Sequence, residues 1–420
     1  MRGSKVESFS RDLPSLSHRW EALTLDAPSR GSSSIRLCFR AVFESNPMRP
    51  RLECLRSPFP FLRAYMLFFD AHLDLSLNAL QYNRDLRQTV EQIRESERGM
   101  DDLAGRARGT VTFPEMRRGG IGICVATLLA GCMKPAGPVG MWNSPPQAWA
   151  MTQGQLAWYR AMEDAGELRA ISTLEQLHFH LKDWNANPQS APIGYILSLE
   201  GADSLRTLDD LGPAYEQGLR ALGPAHYGVG RYALGHDCDG PLTQQGRELL
   251  SEMDQLGMIL DVTHLSEPTF WEAIELYQGT IWASHHNCRA LVDDPRQLSD
   301  EQIKALADRG AVIGVAFDVW MVAPGWQRGV SRQTDVAKSD LNGLADHVDH
   351  VCQLLGTTKH TGIGTDLDGG FGTEQTPSDL DTIADLEQFA QCLKSRGYDD
   401  HALDGISHGN FLSLLERAWS

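Results

Sequence analysis

An α/β fold, a TIM-type (β/α)8 barrel, is predicted by three features of this sequence. From Leu67 onward, short apolar runs alternate with longer amphipathic stretches, which signals repeated β-α units. Eight such runs can be counted, the number that closes a parallel barrel. Run after run also ends in His, Asp or Glu, at His72, Glu200, His226, His264, His285 and Asp366. In such a barrel the C-terminal rim of the strands carries the chemistry. One polar strand end is unremarkable, but six on six strands form a convergent ring that packing alone does not demand.

The candidate strands, in order, are 67–72, 121–129, 193–200, 219–226, 258–264, 280–285, 311–317 and 361–367. Thr243 leads into the amphipathic run 244–256, closed by Gly257. Ser299-Asp300-Glu301-Gln302 reads as a capping box that opens a helix up to Arg309, closed by Gly310. No repeat at a fixed long period appears, which argues against a solenoid.

Bulk properties bound the function. The 420 residues are 42% hydrophobic and 22% charged, ordinary values for a globular chain. No apolar run is long enough to span a membrane. The first residues lack a signal-peptide pattern and the last lack the apolar tail of a lipid anchor, so the expected location is the cytoplasm. The eight cysteines form no CxxC pair and read as free thiols, several of them buried. A net charge of −17 disfavours nucleic acid and anionic lipid as partners.

That charge is uneven. Residues 1–65 hold 11 Lys/Arg against 6 Asp/Glu, whereas the remainder holds 27 against 49. With clusters such as Ser29-Arg30-Gly31-Ser32-Ser33-Ser34, the first segment is expected to be a poorly ordered basic extension. The barrel domain is then 66–420. A sharper expectation is that translation begins at Met66 and the first 65 residues are an artefact of gene calling; the rival is a basic targeting or docking arm. N-terminal sequencing of the native protein separates the two.

The polar strand ends fit a metal site. In Asp70-Ala71-His72-Leu73-Asp74, positions i and i+2 share a strand face, so His72 and Asp74 can both point inward. An imidazole with a carboxylate suits a borderline divalent ion such as zinc, although a lone H-x-D is a weak signal. The apolar strand 193–200 ends in Glu200-Gly201, a carboxylate on the rim beside a residue that tolerates close backbone approach. His264 and His285 end their own strands. His286 competes with His285, and a one-residue shift would exchange their faces. Three imidazoles and two carboxylates, with Asp366 nearby, suit two divalent cations roughly 3.5–4 Å apart. Glu200 is the natural bridge between them, since no lysine stands at these strand ends.

These residues resemble the membrane (renal) dipeptidase family, peptidase family M19 of the amidohydrolase superfamily, from about Leu67 to Leu415. The resemblance is carried by Phe69-Asp70-Ala71-His72-Leu73-Asp74, Leu199-Glu200-Gly201, Leu242-Thr243-Gln244-Gln245-Gly246-Arg247, Leu260-Asp261-Val262-Thr263-His264-Leu265-Ser266, Ala283-Ser284-His285, Asp293-Asp294-Pro295-Arg296-Gln297-Leu298-Ser299-Asp300 and Gly362-Ile363-Gly364-Thr365-Asp366-Leu367-Asp368-Gly369. It implies two Zn2+ ions, one held by His72, Asp74 and Glu200, the other by Glu200, His264 and His285. It favours His285 over His286. By the same resemblance His226 contacts the scissile group, Arg296 binds the substrate's C-terminal carboxylate, and Asp366 holds the nucleophilic water.

The implied activity is hydrolysis of dipeptides, L-Xaa-Xaa, with a D-residue accepted at the C-terminal side, through a hydroxide shared by the two ions. Metals lower the pKa of bound water enough to supply it at neutral pH. Asp366 can accept its proton and pass it to the leaving amine, and His226 can stabilise the oxyanion. Arg296 can grip a free carboxylate bidentately, which selects dipeptides over internal bonds. The resemblance also suggests a homodimer. Two alternatives stay open: a metal-dependent hydrolase of N-acyl amino acids or lactams, and a catalytically silent homologue that only binds.

Other polar clusters read as decoys. His178-Phe179-His180 imitates an H-x-H motif, but it falls in a helical stretch, where i and i+2 point apart. His347 and His350, three apart on the helix before the last strand, are expected on a solvated face. The loop Gly235-His236-Asp237-Cys238-Asp239-Gly240 is expected to be a turn that shapes substrate preference.

Overall fold

The computed structural model describes residues 66–132 and 139–420; the basic segment 1–65 lies outside them. Eight strands form the barrel: β1 (Phe68–Leu73), β2 (Ile121–Leu129), β3 (Ile193–Glu200), β4 (Leu219–Gly223), β5 (Ile259–Asp261), β6 (Ile281–Trp282), β7 (Ile313–Val315) and β8 (Thr361–Ile363). Parallel pairing runs β7-β8-β1-β2-β3-β4-β5-β6. A parallel bridge from Ala283, just past β6, to Ile313 of β7 closes the ring. All eight expected strands are present, so the (β/α)8 expectation holds.

Two features were not anticipated. A short strand, Leu168–Ala170, pairs with β3 outside the ring. In addition, β5 to β8 are only two or three residues long, against the six or seven read from the sequence. The ladder stops early because the backbone turns away toward the rim before the ligand-type residue is reached.

The interior is packed as the alternation of strand side chains requires. Phe69, Ile123, Ile196, Ala221, Ile259 and Trp282 form a buried cluster of their own. Its floor is the C-terminal helix Asn410–Ala418, whose Phe411 stacks on Phe69 at 5.0 Å and meets Trp282 edge-on at 6.0 Å. A second, larger core lies between the strands and the outer helices. Register across β1 and β2 slips between Asp70 and Leu73, where β1 carries one residue more than its partner. Such a bulge re-aims side chains near sites. Here it leaves Phe69 in the interior while sending Leu73 to the outer core, so His72 and Asp74 fall on the inward side.

Close approach requires glycine at one point. A Cβ on Gly314 or Gly364 would stand 2.0 or 1.8 Å from the Ser284 carbonyl oxygen. The turn bearing Ser284 and His285 therefore lies against the backbone of β7 and the backbone that follows β8. The helix signals hold: Thr243 caps Gln244–Leu256, which Gly257 ends at φ +65°, and Ser299 with Gln302 forms the reciprocal capping box of Asp300–Asp308.

The decoys resolve differently. His180 lies in the helix Leu174–Ala186, is buried, and bonds the Gly122 carbonyl at 2.8 Å, while His178 faces solvent. His347 corrects the expectation of a solvated face. It is fully buried, accepting from the Cys288 N–H at 3.1 Å through Nδ1 and facing the Val322 carbonyl through Nε2 at 3.2 Å. Helix position three residues earlier than His350 turns it toward the barrel. His350 stays near the surface and pairs with Asp300 at 2.7 Å. Cys124, Cys238, Cys288, Cys352 and Cys392 are free thiols.

Candidate metal centre and active site

The rim is built by one recurring device. His226, His264, His285 and Asp366 each stand three residues past the last residue of β4, β5, β6 and β8. His264 and Asp366 adopt left-handed backbone, φ +69° and +58°, which a non-glycine residue takes only at a cost. Buried aspartates hold these turns. Asp70 accepts from the Thr365 N–H at 2.8 Å and hydroxyl at 2.6 Å, tying β1 to the turn that carries Asp366. Asp261 accepts from the Thr263 N–H at 3.0 Å and the Ser284 N–H at 3.1 Å, tying the His264 turn to the His285 turn.

The turns bring all the expected residues together. Glu200 sits at the centre, at the end of β3, with Gly201 behind it at φ +77°. Its Oε2 lies 3.5 Å from His72 Nε2, which is also 4.0 Å from Asp74 Oδ2 and 3.8 Å from Asp366 Oδ1. Its Oε1 lies 3.1 Å from His264 Nε2 and 3.8 Å from His285 Nε2, and those two nitrogens are 3.1 Å apart. Two groups of donors thus share one carboxylate: His72, Asp74 and Glu200 on one side, Glu200, His264 and His285 on the other. A tetrahedral zinc with ligands at about 2.0–2.1 Å holds them roughly 3.3 Å apart, close to these spacings.

The donors fit divalent cations on chemical grounds. His72 Nε2 is buried with no hydrogen-bond partner among the described residues. Burial alone would depress its pKa, yet Glu200, Asp74 and Asp366 carry it up to about 10. The pocket therefore asks for positive charge where His72 points. Burial pushes the Asp366 carboxyl well above the ordinary range; His72 opposes this, while Asp74, Glu200 and Asp318 add to it. Burial, with Arg296 and neighbouring imidazoles, holds His264 and His285 well below 6.5, in the neutral form that ligates metals. The Ser284 hydroxyl meets His285 Nδ1 at 2.9 Å and fixes that ring from behind.

The remaining expected residues frame a cavity of about 630 Å³ over this cluster. His226 Nε2 stands 3.8 Å from Glu200 Oε1, and its ring centroid is 4.5 Å from that of His264. Arg296 is 1% exposed, and its guanidinium donates to the His285 carbonyl at 2.9 Å and His286 Nδ1 at 3.1 Å and has no carboxylate partner among the described residues. This separates the adjoining histidines: His285 turns to Glu200 and His286 turns to Arg296. In the loop 235–240, Asp237 lines the cavity, its Oδ1 accepting from the Gly228 N–H at 2.6 Å.

Some residues of the site escaped the sequence reading. The Thr127 hydroxyl donates to the Asp74 carboxylate, and strand alternation from Ile123 and Val125 would have found it. Tyr227, Asp318 and Arg328 line the cavity. Asp318 stands three residues past β7, in the same position as the other rim residues. Burial raises its pKa to about 7.

A (β/α)8 barrel whose rim gathers three imidazoles and three carboxylates around two adjacent points defines a metallohydrolase. A family profile described as membrane dipeptidase (peptidase family M19) matches residues 59–419, and the chain belongs to that family. A dipeptidase solved as a metallopeptidase of family M19 has TM-score 0.67 and 23% identity over 84% of this chain and 99% of that one, which shows the fold. Dipeptidase verJ of Clonostachys rogersoniana is 27% identical over 231 residues, 53% of this chain and 55% of that protein. Dipeptidase 3 of Mus musculus is 26% identical over 241 residues, 53% and 44%. The matched region spans about half the length of these curated dipeptidases. A metallopeptidase from Rhodobacter sphaeroides, solved with a phosphinate mimic of the dipeptide L-Ala-D-Ala, has TM-score 0.67 and 22% identity over 84% of this chain and 100% of that one, which shows the fold.

Proposed function

We propose that the protein is a dipeptidase that uses two divalent ions, most simply Zn2+, to hydrolyse L-Xaa-Xaa, with a D-residue tolerated at the C-terminal position. The observation that carries this reading is Glu200, whose two oxygens face two separate donor groups beneath one cavity that also holds a buried, unpaired arginine. Bound by His72, Asp74, Glu200, His264 and His285, the ions would supply an activated water at neutral pH and polarise the scissile carbonyl.

The chain's own groups do the rest. Arg296 pairs with the substrate's free carboxylate and so places the peptide bond over Glu200. Asp366 takes the proton from the attacking water and delivers it to the leaving amine; the burial and neighbouring carboxylates that raise its pKa suit it to hold a proton between those steps. His226, kept neutral by burial, donates to the oxygen on which negative charge develops.

Dipeptide hydrolysis is expected to disappear with a chelator and return with Zn2+, with two equivalents of metal per chain. Activity that survives exhaustive chelation would refute the reading. A parallel panel of N-acyl amino acids and lactams tests the rival bond specificity. His285→Ala is expected to lose about one metal equivalent, whereas His286→Ala keeps both and raises KM through Arg296. Metal analysis of the two variants checks this, and equal metal loss in both would reverse the assignment.

A further inference from the structure

Two arginines line the cavity. Arg296 accounts for one carboxylate of the substrate. Arg328 stands on the rim in the segment after β7, its guanidinium over the Trp320 ring at 4.9 Å. Its Nη1 donates to the Tyr227 hydroxyl at 3.2 Å. Tyr227 in turn packs edge-on against His226 at 4.7 Å and against His264, a ring centroid 5.3 Å away. Arg328 is therefore braced against the rings that overhang the metal centre. No carboxylate of the described residues pairs with it. The carboxylates that act on it face other groups: Asp318 accepts from Gln375 Nε2 at 3.0 Å, and Asp366 stands 3.8 Å from His72 Nε2. A braced arginine that faces the cavity and pairs with none of the carboxylates lining it is arranged to receive one from a ligand.

The position decides which part of the substrate brings that anion. Arg296 and Arg328 come from the segments after β6 and β7, neighbouring strands of the ring, so they share one side of the centre, the side of the C-terminal residue. The opposite wall, from the end of β2 and the segments after β1 and β2, sets Leu77, Leu103, Leu129 and Met141 beside the carboxylate of Asp102. An acidic side chain on the N-terminal residue would meet that wall and lose its hydration.

Resting on the dipeptidase reading, we propose that Arg328 reads an acidic side chain on the substrate's C-terminal residue, so that preferred substrates are dipeptides with an apolar first residue and Asp or Glu second. The glutamine analogue is nearly isosteric and tests charge alone. The parent enzyme is expected to favour Leu-Glu over Leu-Gln by about tenfold in kcat/KM, in the L,L or the L,D series. The gain is modest because a rim guanidinium stays partly solvated. The ratio falls as salt is added. Arg328→Gln brings it to about one, and Arg328→Lys restores part of it. A ratio near one in the parent, or an unchanged ratio in Arg328→Gln, overturns the proposal. Calorimetric binding of free glutamate against glutamine gives a readout independent of turnover. If no dipeptide is cleaved, the dipeptidase reading fails while this measurement still decides on Arg328: tighter glutamate binding that Arg328→Gln abolishes supports it, and equal binding overturns it.

Discussion

Glu200→Gln is expected to reduce dipeptide hydrolysis by about three orders of magnitude or more, beyond the loss of a single oxyanion donor. Glutamine keeps the size and shape of glutamate but offers one acceptor oxygen and one NH2 group. Glu200 faces His72 with Oε2 and His264 with Oε1, so an amide must turn its nitrogen toward one of the two donor groups. That group then loses both a ligand and the negative charge that offsets two neighbouring cations. Metal analysis should find fewer than two equivalents. Thermal unfolding gives a second readout. A ligand at a hundredfold its Kd stabilises a protein by about 2.7 kcal/mol, so zinc should raise the parent's Tm and raise that of Glu200→Gln far less. The zinc-induced change in Tm is the quantity to compare, because Glu200 also faces His264 at 3.1 Å and the metal-free fold can shift by itself. A variant that binds two ions and turns over like the parent would show that Glu200 is no bridge.

The barrel and the centre of this site were legible in the sequence for different reasons. Alternation along β2 and β3 is long enough that Ile196 and Glu200 can be placed on one face with no further information. His72 and Asp74 were placed by the same rule, although a bulge in β1 sets the face on which they lie. Past β4 to β8 the rule that matters is different. His226, His264, His285 and Asp366 sit in turns, three residues beyond the last residue of each strand, two of them in left-handed backbone. Strand register therefore does not choose between His285 and His286. Arg296 does, by occupying His286, and nothing local to the pair announces that contact. The spacing rule, once seen, also finds Asp318 after β7, which strand periodicity passed over.

What stayed illegible depends on partners distant in sequence. The pattern of its own helix points His347 to solvent, yet its ring is buried by Cys288 and Val322, 59 and 25 residues away. The Arg328 to Tyr227 contact spans 101 residues and joins the segments after β7 and β4. Only closure of the barrel brings those segments to one rim.

Arg296→Met is expected to cost roughly a hundredfold to a thousandfold in kcat/KM for dipeptides, the range for removing one member of a buried charge pair. The loss should fall mainly on KM. The C-terminal carboxylate carries the same charge in the ground state and the transition state, so its grip is uniform binding. A smaller fall in kcat follows if the peptide bond drifts from its place over Glu200. The substrate amide isolates the interaction. The parent should cleave a dipeptide amide as poorly as the variant cleaves the acid, and the variant should not distinguish the two. Arg296→Lys should recover little, since a point charge does not reproduce the planar fork. Stability should move the other way. The guanidinium is 1% exposed with no anion against it, and burial lowers its pKa, so the ligand-free fold carries an unpaired charge that methionine removes at similar volume. The Tm of the metal-loaded variant is therefore expected to hold or rise while activity falls, the opposition found where a site is kept for binding at the expense of stability. A variant that retains the parent's acid-to-amide ratio would remove Arg296 from substrate recognition.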